Sequence, residues 1–78
     1  MTVRRSPVNA DTRYVLDADE TMLGLLWDGE EGWQGGFAFR PRPAQCCFRR
    51  LPGRFVDERA ALDGLLGAIA ELPAAEQP

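Results

Sequence analysis

Lysine and histidine are both missing from this chain of 78 residues, serine occurs once, at Ser6, and the two cysteines, Cys46 and Cys47, are neighbours. Each shortage removes a class of chemistry. Without His or Lys, the Ser/His, Cys/His and lysine-based nucleophilic constellations have no members to build them. Two adjacent cysteines without histidine fall short of a four-ligand zinc site. Neighbouring cysteines would close a strained ring and not an ordinary structural disulfide, so free thiols are expected, as in a reducing compartment. No apolar run approaches the ~18–20 residues that span a bilayer, and residues 1–7 have no apolar segment behind Arg4 and Arg5 of the kind a secretory signal carries. A soluble, cytoplasmic protein with no membrane association is expected.

What is present describes a single small domain, near the lower size limit at which one hydrophobic core suffices. All 9 basic residues are Arg, against 12 acidic residues. Two readings of the Arg usage stand side by side: a GC-rich coding background, or selection for planar, bidentate recognition. The aromatic residues all lie between Tyr14 and Phe55, which puts the core in the middle of the chain.

The strongest periodic signal is at residues 57–72. Leu62, Leu65, Leu66, Ile69 and Leu72 recur at helical spacing and make one apolar stripe. Asp57 suits the N-cap, Glu58 suits the positive end of the helix dipole, and Pro73 stops the helix. Upstream, residues 12–17, 21–27, 33–40 and 45–51 read as four strands. Acidic turn residues Asp17, Asp19 and Glu20 separate the first pair. Asp28-Gly29-Glu30-Glu31-Gly32 is a hairpin signal for the second, and Pro41 and Pro43 interrupt the third connection. The strand at 21–27 is apolar on both faces and is expected to be central. Gly35 and Gly36 suggest a bulge or bend.

The expected architecture is α+β, a four-stranded antiparallel meander sheet with one C-terminal helix packed on one face. Residues 1–11 are expected to be a flexible arm, 12–72 the domain, and 73–78 a short tail. The face under the helix is expected to carry Tyr14, Leu16, Leu23, Leu25, Trp27, Phe37, Phe39 and Phe48. Arg13, Val15, Met22, Leu26, Gln34, Ala38, Cys47 and Arg49 are expected outside.

Candidate chemistry is sparse. The acidic turns offer carboxylate oxygens to a hard cation, but neither has the ligand spacing of an EF-hand loop, and solvated turn charge is the better reading. No glycine pair sits in the strand–loop–helix context of a phosphate loop. A reactive thiol at Cys46 or Cys47 would need a depressed pKa, for which only Arg49 and Arg50 supply nearby charge. No catalytic, cofactor-binding or metal site is expected, and the chain is read as non-enzymatic.

A protein partner or a homodimer is the expected function. The open face would present Val15, Met22 and Leu26 as an apolar centre, rimmed by Arg13, Arg40 and Arg49, a composition common at interfaces. The alternative is nucleic-acid binding through Arg13, Arg40, Arg42, Arg49, Arg50 and Arg54 with the Arg4-Arg5 arm, set against the net charge of -3. In size, lack of catalytic residues and strand-strand-strand-helix order, the chain is similar in kind to the small accessory proteins of phages and mobile elements, including anti-CRISPR inhibitors and antitoxin-like modules. That resemblance covers the whole chain and rests on architecture. It implies an inhibitor or adaptor docking on a larger protein assembly.

Overall fold

The computed structural model describes the backbone of residues 1–42 and 45–74 and the side chains of residues 1–38 and 47–74. Five strands, β1 (Thr2–Arg5), β2 (Thr12–Leu16), β3 (Met22–Gly29), β4 (Gly32–Arg42) and β5 (Gln45–Arg50), precede one helix, α1 (Glu58–Ala70). Each strand pairs antiparallel with the next, so the sheet order is β1-β2-β3-β4-β5. The α+β meander with a C-terminal helix is as the sequence predicts, with one strand more and β3 at its centre.

The extra strand replaces the expected flexible arm. Thr2–Arg5 pairs along β2 from Thr2 opposite Leu16 to Arg5 opposite Arg13. The turn that returns the chain is organised by Ser6, which is buried. Its Oγ accepts the backbone N–H groups of Val8 and Asn9, each at 3.2 Å, and donates to the Tyr14 hydroxyl at 3.3 Å. Ser6 N–H donates to the Thr12 carbonyl at 2.9 Å. All of these bonds are invisible to a search for periodicity, because β1 is exposed at every position. Of the expected tail, residues 73 and 74 are described, and the remainder lies outside the described residues.

The helix forms where its stripe and cap predict. Asp57 is the N-cap, with its Oδ1 accepting the Ala60 N–H at 2.8 Å. Leu65 and Ala61 are fully buried, and Leu62, Ile69 and Leu72 pack beside them against the core. The helix lies across β3 and β4.

The covered face of β2 and β3 is the opposite of the one expected. Val15 and Leu26 lie beneath the helix with no exposed surface, joined by Phe37 and Leu51. The physical reason is the position of Gly24. It alternates with Leu26 onto the helix side, and a Cβ placed there would sit 2.8 Å from Leu65 Cδ1 and collide with the Gly36 carbonyl oxygen. A helix packs closely only where the sheet offers such a gap, and the face carrying Tyr14, Leu25 and Trp27 offers bulk instead. Leu23, expected to alternate with Leu25, reaches the core because the pairing slips by one residue between Val15 and Leu16, so that Leu16 faces Met22. Gly35 and Gly36 are both regularly paired with β3, Gly36 is paired with β5 as well, and the β4 irregularity lies between Phe39 and Arg42 instead.

Two substitutions test this packing. Gly24→Ala should lower the unfolding free energy by about 1–3 kcal/mol in a urea titration, through overpacking against Leu65. A neutral result would contradict the close approach. Ser6→Ala should cost about 1–2 kcal/mol and speed amide exchange in β1. Unchanged stability with unchanged β1 exchange would refute the role assigned to that hydroxyl.

Candidate partner-binding face

Directly opposed residues in an antiparallel sheet share a face. The register therefore sets Arg4, Tyr14, Leu25, Gly36 and Arg50 in one row across all five strands, on the side away from the helix. Four strand spacings place the two terminal arginines about 19 Å apart along that row. Thr12, Trp27 and Gln34 form the neighbouring row, and Ala38 faces Phe48 on the other side.

The side chains of this face partly cover one another. Gly36 is the seat for Phe48, since a Cβ at position 36 would lie 2.6 Å from the ring Cε1. Phe48 is still 51% exposed. The Arg50 guanidinium sits 5.5 Å from the Trp27 ring centroid, and its Nη2 donates to Gln34 Oε1. A cation over an indole face is electrostatically favourable, and it fixes the guanidinium beside the apolar surface. At the far end, Arg4 makes an exposed ion pair with Glu20 at 3.1 Å, which solvent and salt weaken. Tyr14, Leu25 and Trp27 are half-buried.

Charge is segregated in this molecule. No carboxylate occurs among the described strand side chains of the open face. Asp28 is on the helix side of β3, and the other described acids stand in turns, at the helix cap and on the helix, at Asp11, Asp17, Asp19, Glu20, Glu30, Glu31, Asp57, Glu58, Asp63 and Glu71. A chain of net charge -3 thus presents one face that is aromatic and cationic.

Comparison with protein-family models, curated proteins and solved structures yields no match. Among the described residues there is no helix long and apolar enough to cross a membrane, and no grouping of three or more His, Cys, Asp or Glu that would hold a metal ion.

The interface set expected from the sequence, Arg13, Val15, Met22, Leu26, Arg40 and Arg49, is not brought together. Val15 and Leu26 are core residues. Arg13 lies on the helix side, where its Nε meets Glu58 Oε1 at 3.1 Å and its guanidinium lies 5.6 Å from the Trp33 ring centroid. It ties the start of the helix to the sheet. Arg49, opposite the buried Phe37, also points to the helix side. Met22 alone of the six is on the open face, 42% exposed, and the Arg40 side chain lies outside the described residues. Cys47 alternates with Arg49 and is a half-buried free thiol, whereas Cys46 has its side chain outside the described residues.

The residues missed are Arg4, Tyr14, Leu25, Trp27, Phe48 and Arg50. One signal points to them: Gly24 and Gly35 alternate with Leu26 and Phe37, marking the helix side by its gaps and leaving the bulky parity outward.

The pair Leu25 and Leu26 separates the two face assignments. Leu26→Glu should abolish the cooperative thermal transition, because it buries an unpaired carboxylate in the core. Leu25→Glu should retain a cooperative transition close to the parent's. The reverse outcome would restore the face assignment expected from the sequence.

Proposed function

We propose that this chain is a small non-enzymatic protein-binding module, an inhibitor or adaptor that docks an acidic surface of a larger protein onto the open face of its sheet. The observation carrying this reading is the row Arg4-Tyr14-Leu25-Gly36-Arg50, with Trp27 and Phe48 beside it. Tyr, Trp and Arg are the residue types that dominate binding energy at protein interfaces, most effectively as an aromatic centre with charge at its margin. No carboxylate occurs among the described strand side chains of that face, and Glu20 meets only Arg4 at its edge, so Arg50 favours a negatively charged partner. Support for a non-enzymatic role comes from the inventory: the one serine hydroxyl is consumed in holding a turn, and no imidazole or amine side chain exists to act as a base. The likeness in kind to phage and mobile-element accessory proteins agrees with an inhibitory role.

A second reading, single-stranded nucleic-acid binding, is favoured by the same aromatic side chains, because bases stack on Tyr, Trp and Phe and phosphates pair with Arg. It differs in its salt dependence, which for phosphate binding is steep.

Affinity capture with the parent, Leu25→Glu and Trp27→Glu, compared at matched folded fraction, tests the proposal. The parent should retain a discrete acidic protein that both variants lose. Equal capture by all three forms would remove this face from consideration. Binding of a ten-nucleotide oligothymidylate that quenches tryptophan fluorescence at low salt and vanishes at moderate salt would establish the second reading in its place. A concentration-dependent dimer that Trp27→Glu dissociates would show the face to be covered by a second copy.

A further inference from the structure

The open face is one candidate surface, and the outer edge of β5, the last strand in the sheet order among the described residues, is another. The Leu51 N–H donates to the Gly35 carbonyl at 2.8 Å. Because bonded and non-bonded pairs alternate along an antiparallel ladder, Arg49 and Cys47 direct their backbone groups to β4, whereas Phe48 and Arg50 direct theirs away from the sheet. The sheet order ends at β5, so those groups lie on its outer edge.

Beside that edge, on the helix side, lies a cleft of about 380 Å³. Phe37, Leu51, Ala68 and Leu72 supply its apolar surface, and Arg49 and Glu71 its polar margin. An added strand would place the residue opposite Arg49 on the helix side, pointing at this cleft. Its two neighbours would pair with Phe48 and Arg50 and project to the open face. Strand addition of this kind draws affinity from main-chain bonds and specificity from pockets for alternate side chains.

We propose that β5 is a docking edge for an extended peptide carrying an acidic residue next to an apolar one, added as a sixth strand with the apolar side chain in the cleft. Charge selects this occupant. The described side chains of β5 include Arg49 and Arg50 and no carboxylate, so a peptide residue opposite Arg50 is favoured when acidic, while Glu71 on the cleft margin favours an uncharged residue there. Two copies of β5 paired edge to edge would crowd their arginines together, which opposes a second copy as occupant. The other edge, β1, is shorter at four residues, and none of its residues lines the cleft. This edge site shares Arg50 with the open-face row, but it rests on the β5 backbone groups and the cleft and not on that reading.

The test is an amide-resolved NMR titration of the full chain with acetyl-Ser-Thr-Glu-Leu-Val-Thr-Ser-amide, whose antiparallel register sets Glu opposite Arg50, Leu opposite Arg49 and Val opposite Phe48. Saturable shifts are expected at the Phe48 and Arg50 amides and at cleft residues. N-methylation of Val, whose N–H would bond the Phe48 carbonyl, should weaken binding by at least about tenfold, whereas N-methylation of Leu, whose N–H points away, should change it by less than about twofold. Replacing the peptide's Leu by Ala, or its Glu by Lys, should also weaken binding. Arg4→Glu, at the far end of the open-face row on β1, should leave the titration unchanged, which separates failure here from failure of the open-face reading. No shift at the β5 amides at millimolar peptide would overturn the proposal, as would equal losses from the two N-methylated forms. A Lys-for-Glu peptide that bound as tightly as the parent would overturn the charge preference. Concentration-dependent β5 shifts in the peptide-free protein would assign the edge to a second copy instead.

Discussion

The contact between Leu65 of the helix and the gap at Gly24 is the constraint on which the rest of the structure depends. A small domain has one helix with which to seal its sheet, and that helix must come close enough to exclude water. Only one face allows this. Burying Leu65, Leu26 and Val15 completely contributes about 1.5–3 kcal/mol for each side chain, and that gain requires the missing Cβ at position 24. Once the helix is seated there, strand alternation sends every other residue of β2 and β3 to the opposite side.

The open face follows as a consequence. Tyr14, Trp27 and Phe48 have the strand parity opposite to Val15, Leu26 and Phe37, and the sheet accommodates them outside by mutual cover: Phe48 over Gly36, Arg50 over Trp27, and the Tyr14 hydroxyl against Ser6. These contacts reduce but do not remove the exposed apolar area. The same geometry separates charge, since the described carboxylates gather in the turns, on the helix and, at Asp28, on the helix side of β3, while the open face keeps Arg4 and Arg50. A slightly acidic protein thereby acquires a surface suited to a negatively charged partner, something its net charge alone would argue against.

Much of this fold was legible in the sequence, for reasons tied to particular residues. The Asp57 cap, the leucine stripe and Pro73 are local signals, and the helix lies where they put it. Asp28-Gly29-Glu30-Glu31-Gly32 specified a tight turn, and β3 ran centrally because it is apolar on both faces. That last property also hid the candidate site. When Leu25 and Leu26 are equally apolar, alternation says that the two faces differ without saying which is covered, and an error of one residue inverts every side chain. The bulge that brings Leu23 to the core compounds this. Strand β1 was hidden differently: Thr2–Arg5 is exposed at every position, and it is held by pairing and by a turn in which Ser6 bonds its neighbours Val8 and Asn9 and, across the hairpin, Thr12 and Tyr14.

Strand parity decides the whole arrangement: Leu26 in and Leu25 out. It is tested most directly by a carbon-edited NOE experiment on the folded chain with assigned leucine methyl groups. Cross-peaks from the Leu65 methyls to the Gly24 α-protons and to the Leu26 and Val15 methyls are predicted. Cross-peaks from Leu65 to the rings of Tyr14 or Trp27, with none to Gly24, would contradict the account.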